Sequence, residues 1–173
     1  AANAIAVQAY QVLSVVAYGA SSASGIVVGK TIGAGDRAVL KRLVHTLEVL
    51  FSAIGLLTGL TIFLLRRPLL TVFGGTLTEN ACRLSMQFMA VIAVTTVGTS
   101  YQVACDNGII RGGGDTAFSA KMNLISMWLI IVPLSALAAF RWELAPVVVF
   151  FLLKWDQLYK IIPVAIRLHS WKW

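Results

Sequence analysis

Charged side chains are scarce in this sequence. Asp, Glu, Lys and Arg make up 12% of the 173 residues, and only 7 residues are acidic. A soluble globular domain carries about 25% charged residues, which cover its water-facing surface. Because 58% of this chain is apolar, it has too few charges for such a surface. The shortage excludes an ordinary soluble domain and indicates a membrane protein.

Other absences narrow the class further. The two cysteines, Cys82 and Cys105, form no CxxC motif, so neither a disulfide nor a metal site is predicted. The motifs HExxH and GxSxG are missing, which indicates that the chain is not an enzyme. The apolar runs do not alternate with polar residues as strands of an outer-membrane barrel do, so the spans must be helices.

Long apolar runs are what the sequence has instead. A bilayer core of about 30 Å needs roughly 20 consecutive apolar residues per helix. Four runs, 4–28, 49–65, 84–105 and 122–140, contain no charged residue. A fifth begins at Leu144 and includes Lys154, Asp156 and Lys160 before Arg167. We therefore predict an all-α membrane fold of five transmembrane helices, at about 4–33, 43–65, 84–107, 119–140 and 144–167.

The basic residues predict an orientation for these helices. Of the 14 Lys and Arg residues, ten fall in the first loop, the third loop, or the final helix and tail, and four fall in the opposite loops. Cytoplasmic loops are enriched in basic residues, so we place the C-terminus in the cytoplasm and the N-terminus outside, in the cell inner (plasma) membrane. The net charge of +7 then needs no nucleic-acid partner. Because the chain lacks an initiating Met and a signal peptide, we expect further sequence upstream.

Charged residues within the spans are the first candidates for function. A charge in the bilayer costs roughly 2.5 to 3.5 kcal/mol on insertion scales, so it needs a reason to be there. Asp156 and Lys160 are four residues apart and can pair on one helical face, whereas Lys154 lies on a different face of the same helix. These charges either border a cavity and bias its occupancy by ions or protons, or hold the helices together. Asp106 is expected to hold Arg111 or to cap a helix end.

Polar and small residues within the spans form two further groups. One group offers hydrogen bonds to a substrate, or else ordinary contacts between helices; its members are Gln8, Gln11, Tyr101, Gln102 and Asn123. The other group has small residues at every fourth position of the first span, Ser21, Gly25, Gly29 and Gly33. Such a stripe lets a neighbouring helix approach closely. Asp36 follows it as a cap for the next helix.

Three segments carry a resemblance to a known family. They are 19–36 (GASSASGIVVGKTIGAGD), 108–118 (GIIRGGGDTAF) and 154–173 (KWDQLYKIIPVAIRLHSWKW). In order and spacing they resemble the MATE (multidrug and toxin extrusion) transporters. The resemblance implies that the chain corresponds to helices eight to twelve of a twelve-helix fold, an incomplete C-terminal lobe. The motif residues are Gly25, Gly29, Gly33, Asp36, Arg111, Gly112 and Asp115.

The resemblance also implies an activity. Members of the family export organic cations or drugs in exchange for protons or sodium ions, with no cofactor besides the ion gradient. The expected partners are the lipid bilayer, the missing N-terminal lobe of the same protein and an organic cation. Some sodium-coupled relatives place a carboxylate about three turns before the RG pair, where this sequence has Thr99, Ser100, Tyr101 and Gln102.

Two alternatives stay open. One is a lipid-linked saccharide flippase of the same superfamily, which would be favoured if Lys154, Lys160 and Arg111 all pointed into a cavity with few carboxylates. The other is a truncated membrane remnant without transport activity.

Overall fold

Helices account for the regular structure of the described residues, 2–73 and 79–171, in the computed structural model. In chain order they are α1 (Ala2–Gly33), α2 (Arg37–Phe73), α3 (Glu79–Ala104), α4 (Thr116–Ile125), α5 (Val132–Ala136), α6 (Pro146–Lys154), α7 (Asp156–Tyr159) and α8 (Ile161–His169). Three π-helical segments continue them, Cys105–Ile110 after α3, Ser126–Ile131 before α5 and Leu137–Arg141 after α5. The described residues contain no β-strand, so the predicted all-α membrane fold is confirmed.

Four stretches of the described residues are long and apolar enough to cross a membrane. They are Ser14–Gly33, Arg37–Pro68, Glu79–Ile110 and Thr116–Arg141. The fifth predicted span, 144–167, is not one continuous helix but the broken series α6, α7 and α8. Pro163 explains the second break, because it has no N–H and its ring collides with the carbonyl of Tyr159, where α7 ends.

The helix bounds differ from the predicted spans mainly in α2. The prediction was 43–65, whereas α2 runs from Arg37 to Phe73. It begins early because Asp36 caps it: its Oδ1 accepts from the backbone N–H groups of Ala38 (3.0 Å) and Val39 (3.1 Å). Asp115 caps α4 in the same way through the N–H of Phe118 at 3.2 Å. Polar caps thus extend the helices past the apolar runs that define a span.

The central helix is α3, which contacts α1, α2, α6, α7 and α8. Its span is 67% buried, against 22% to 33% for the other three spans. One apolar cluster lies towards its C-terminal end, around Phe51 and Ile109, and another towards its N-terminal end, around Ile62 and Met89. Buried hydroxyl residues lie between the two clusters: Thr95, Thr96, Thr99 and Ser100. The middle of the bundle is therefore polar.

Glycines set the close crossing of α1 and the end of α3. A Cβ atom on Gly25 would lie 3.2 Å from the carbonyl oxygen of Gly108, and one on Gly112 would lie 2.8 Å from the Cα atom of Gly25. Ser21 extends the contact, since its hydroxyl donates to the Ala104 carbonyl at 3.4 Å. Gly33, part of the same predicted stripe, has nothing within 4 Å of such a Cβ. The stripe thus packs over its middle and not at its end.

A second glycine pair brings α2 against α3. A Cβ atom on Gly55 would lie 2.9 Å from the carbonyl oxygen of Val97, and one on Gly59 would lie 2.7 Å from that of Ala93. This pair is missing from the sequence prediction, although its four-residue spacing is the same signal as in α1.

The α1 crossing gives a testable prediction. Gly112→Ala should lower the stability of the protein by about 1–2 kcal/mol, because the added methyl group must push α1 away from α3. Gly33→Ala is the matched control, since it adds the same methyl group in open space and should be neutral or slightly stabilising. Thermal unfolding in detergent, followed by circular dichroism, measures both. Equal melting temperatures for the two variants would contradict the proposed close contact.

Candidate functional site

Asp106 is a buried carboxylate in the π-helical continuation of α3, with 2% of its surface exposed. Its Oδ1 accepts a hydrogen bond from the hydroxyl of Ser119 on α4. Its Oδ2 accepts from Nδ2 of Asn123 at 3.3 Å and lies 3.7 Å from Nη2 of Arg111. Asp106 does lie beside Arg111, as the sequence suggested, but its hydrogen bonds go to α4. Single-turn π-helices such as this one are frequent at functional sites.

Asn123 connects this carboxylate to a buried lysine. Its Nδ2 donates to Asp106 and also to the Ser119 carbonyl, at 2.9 Å. Its Oδ1 accepts from Nζ of Lys160 at 3.0 Å. An amide has distinct donor and acceptor ends, and only this orientation serves a carboxylate on one side and an ammonium group on the other. Asn123 therefore bridges the π-helical end of α3 and the broken helix, which is the series α6, α7 and α8.

Lys160 lies at the break between α7 and α8 and is 4% exposed. Its Nζ is 2.9 Å from Oδ2 of Asp156, one turn earlier, and the same oxygen accepts from Nε2 of Gln157 at 2.9 Å. We call the connected set the polar network: Asp106, Arg111, Ser119, Asn123, Asp156, Gln157 and Lys160. It contains two carboxylates and two cations, so its formal charges balance.

A cavity of about 220 Å³ lies beside the polar network. Its lining comes from α1, α3 and the broken helix, namely Tyr18, Ile92, Thr95, Thr99, Val103, Lys154 and Gln157. We call it the Lys154 cavity. Gln157 belongs to both features, because it lines the cavity while its Nε2 binds Asp156; its Oε1 is buried and has no hydrogen-bond partner among the described residues. One amide therefore joins the cavity to the network.

The structure brings some of the site residues predicted from the sequence together and places others apart from them. It brings the candidates with charged side chains and Asn123 to the network and its cavity; these are Asp106, Lys154, Asp156, Lys160 and Asn123. Gln8 and Gln11 are exposed on α1, and Gln102 is buried in α3. Ser119 and Gln157 were missed. Ser119 could have been found, because it stands four residues before Asn123 and therefore shares its helical face.

Tyr101 belongs to a separate cluster around Glu48 of α2. Its hydroxyl donates to Oε1 of Glu48 at 2.7 Å. The other carboxylate oxygen, Oε2, lies 4.0 Å from Nδ1 of His45 and 3.8 Å from Nε2 of His169. Within the part of the chain that the structure describes, no group of three His, Cys, Asp or Glu side chains is arranged to hold a metal ion. The cluster therefore joins α2, α3 and α8 as a polar contact.

Another motif residue, Asp115, joins the turn at 111–114, which contains three glycines and is called the glycine turn, to the last helix, α8. Its Oδ2 accepts from Nε of Arg167 at 2.7 Å, while its Oδ1 caps α4. The guanidinium group of Arg167 also lies 5.4 Å from the ring centre of Phe118. The turn that follows α3 and the C-terminal end of the chain are thus held at the same end of the bundle.

Apolar spanning helices around a charge-balanced network and a polar cavity are the features of a multi-pass membrane transporter. The MatE family profile matches residues 1–137, and the chain belongs to this family of transporters, which confirms the resemblance seen in its motifs. Asp106 and Asn123 lie inside the matched region, whereas Lys154, Asp156 and Lys160 lie beyond it.

One relative shares the transport class. The chain is 26% identical over 125 residues to a protein of Schizosaccharomyces pombe (strain 972) named uncharacterized transporter C4B3.13. The alignment covers 72% of this chain and 23% of the relative, so the chain spans less than a quarter of the length of the curated relative it matches. No solved structure matches the chain significantly.

Proposed function

We propose that this chain is part of a secondary active antiporter that exports organic cations or drugs in exchange for protons or sodium ions. The observation that carries the proposal is the polar network, which joins two carboxylates and two cations from three different elements and in which Asp106 and Lys160 are only 2% and 4% exposed. Structural cohesion alone is obtained more cheaply from apolar packing, since a buried ion pair is often no better than apolar residues of the same volume. Charges inside membrane helices are therefore functional candidates.

The network suggests how an ion would be coupled to movement. Because its charges balance, an entering cation or proton has to compete with a cation already present. Arg111 is the more loosely held of the two, at 3.7 Å from Asp106 and with 42% of its side chain exposed, whereas Lys160 is 2.9 Å from Asp156 and 5% exposed. We propose that the driving ion displaces Arg111 from Asp106. The glycine turn that carries Arg111 would then move relative to α4.

The rest of the proposal concerns the lobe that this chain does not supply and the orientation of the chain in the membrane. We propose that the chain supplies helices eight to twelve and that the other lobe belongs to the same protein, in keeping with the short coverage of the yeast relative. We also propose that the C-terminus is cytoplasmic, in the cell inner (plasma) membrane. Lys41 lies 5.5 Å from the ring centre of Trp171, so the basic start of α2 and the C-terminal end share one face, as the positive-inside rule requires.

The flippase alternative has less support. An arrangement in which Lys154, Lys160 and Arg111 all face a cavity with few carboxylates would favour it. Lys160 instead pairs with Asp156 and Arg111 faces Asp106. Only Lys154 of the three lines the cavity, and this arrangement favours an antiporter whose paired charges take part in coupling.

A transport assay tests the proposal. The intact gene product that carries this chain is reconstituted in liposomes, and movement of the fluorescent organic cation ethidium is followed under an imposed proton or sodium gradient. We expect ethidium to move in the direction opposite to the flow of the driving ion. An ionophore that collapses the ion gradient should abolish this movement. Ethidium movement that ignores both gradients would overturn the proposal.

Substitution of the bridging amide, Asn123, tests more specifically whether the polar network takes part in transport. Asn123→Leu should lower gradient-driven transport by at least about 10-fold, because it removes two hydrogen bonds to charged groups and the loss of one such bond already corresponds to about that factor. Asn80→Leu is the matched control, because Asn80 is exposed at the start of α3. Size-exclusion chromatography verifies that both variants are folded. If the two variants transport at the same rate, the network has no part in coupling.

A further inference from the structure

A second cavity, of about 580 Å³, lies where α1 and α2 meet the C-terminal end of the chain. Its lining comes from residues within 31–41 and from Trp171, and we call it the Trp171 cavity. One membrane span ends at Gly33 and the next begins at Arg37. The cavity therefore lies at the boundary between the bilayer core and water, and it shares no residue with the polar network.

The charged groups of the Trp171 cavity leave it with a net positive charge. Arg37 and Lys41 both line it, and their four-residue spacing places them on one face of α2. The carboxylate of the lining belongs to Asp36, whose Oδ1 already accepts the backbone N–H groups of Ala38 and Val39. An anionic group in the cavity would thus meet two cations and one carboxylate that is engaged in capping α2.

Trp171 forms the wall that the C-terminal end contributes. Its φ of 52° lies in the left-handed region, which few residues other than glycine adopt. Nζ of Lys41 lies 5.5 Å from the centre of its ring system, a cation–π distance. An ammonium group has three N–H donors, so Lys41 can contact the ring and still donate to an anion. Tryptophan is also enriched at the level of lipid headgroups.

The rest of the lining suits a ligand with an apolar part. Ile32 and Leu40 are its large apolar members, and the hydroxyl of Thr31 donates to the Val27 carbonyl at 2.8 Å. Further along the spans both helices expose apolar side chains, namely Ile26 and Val27 on α1 and Val49 and Leu50 on α2. In a bilayer, acyl chains cover such a surface.

From these features we infer that the Trp171 cavity binds the headgroup of an anionic phospholipid. The phosphate lies against Arg37 and Lys41, and the acyl chains follow the apolar surface of the spans. Basic pockets between the ends of membrane helices are suited to such headgroups. A free phosphate shares the anionic chemistry but would make no use of Ile32 and Leu40, so the lipid is the ligand.

The inference goes beyond the antiporter proposed above, because it assigns a ligand to a site at the membrane boundary. The bound headgroup would contact the start of α2 and the C-terminal end together. It would therefore hold the turn between α1 and α2 against the end of the chain. This role does not depend on an ion gradient.

Native mass spectrometry tests the inference. The intact gene product in detergent is titrated with phosphatidylglycerol or with phosphatidylcholine of the same acyl chains, and the bound lipid is counted. We expect phosphatidylglycerol to bind more tightly. Arg37→Gln should weaken that binding by about 5-fold, the contribution of one basic side chain near a membrane surface. Arg42→Gln is the matched control, because Arg42 is exposed on the same helix but does not line the cavity.

Thermal unfolding gives a second readout. Phosphatidylglycerol should raise the melting temperature of the parent protein, because a ligand that binds the folded state stabilises it. The double variant Arg37→Gln with Lys41→Gln should lose this rise, and it is expected to fold because both side chains are exposed.

Three results would overturn the inference. The first is equal binding of phosphatidylglycerol and phosphatidylcholine. The second is an equal loss of affinity in Arg37→Gln and Arg42→Gln. The third is displacement of the lipid by glycerol 3-phosphate at matching concentration, which would identify a site for soluble anions.

Discussion

Lys160→Met is expected to lower the free energy of unfolding by roughly 3–5 kcal/mol, the usual cost of removing one partner from a buried ion pair. The substitution keeps the length of the side chain but leaves Asp156, whose side chain is 17% exposed, without its ammonium partner. It also removes the donor to Oδ1 of Asn123. Unfolding of the purified protein by dodecyl sulfate in mixed micelles measures the loss.

Two companions make this result specific. Lys121→Met changes an exposed lysine on α4 in the same way and should stay within about 0.5 kcal/mol of the parent. The double variant Asp156→Asn with Lys160→Met removes both charges and should recover most of the stability. A loss in Lys160→Met no larger than in Lys121→Met would show that the ion pair does not hold the broken helix.

The network also links stability to coupling. Asn123 bridges α4 to the broken helix, Ser119 and Asn123 bind α4 to Asp106, and Gln157 carries the connection to the Lys154 cavity. Such a series of hydrogen bonds leaves few donors and acceptors of the network free. A new charge at either end therefore has to rearrange partners across several helices. That property is costly in a purely structural network and useful in a transporter.

What the sequence predicted well depends on local periodicity. The apolar runs define the spans because lipid demands length and continuity. The Asp156–Lys160 pair was visible because residues four apart share a helical face. The close approach at Gly25 was visible for the same reason, but the same periodicity included Gly33, where α1 has already left its neighbour. The spacing of small residues predicts which face of a helix packs against a neighbour, but not how far along the helix that contact extends.

What the sequence did not predict depends on pairing between distant residues. Tyr101 and Glu48 are 53 residues apart, and Arg167 and Asp115 are 52 apart. Nothing in the spacing of such residues states which helices are neighbours. The hydrogen bonds from α4 to Asp106 were missed because the glycine turn folds α4 back beside the π-helical end of α3. The break at Lys160 has a cause that is visible in the sequence, because Pro163 removes one backbone hydrogen bond and bends its helix.

Asp106→Ala should cost roughly 3–4 kcal/mol, because two hydrogen bonds to a charged acceptor are lost at once. The hydroxyl of Ser119 and Nδ2 of Asn123 both donate to this carboxylate, and both lie where water is scarce. Arg111 adds little to the cost, since its side chain is 42% exposed and can turn to solvent. The same unfolding assay in mixed micelles measures the effect.

Asp36→Ala is the matched carboxylate control. Asp36 also accepts two hydrogen bonds, from the N–H groups of Ala38 and Val39, but it is exposed at the start of α2. Loss of a helix cap there should cost about 1 kcal/mol. The two variants remove the same group and the same number of hydrogen bonds, so the difference between them measures what burial in the bundle adds. Equal losses would mean that Asp106 is solvated, and an ion displacing Arg111 would then gain nothing from the membrane interior.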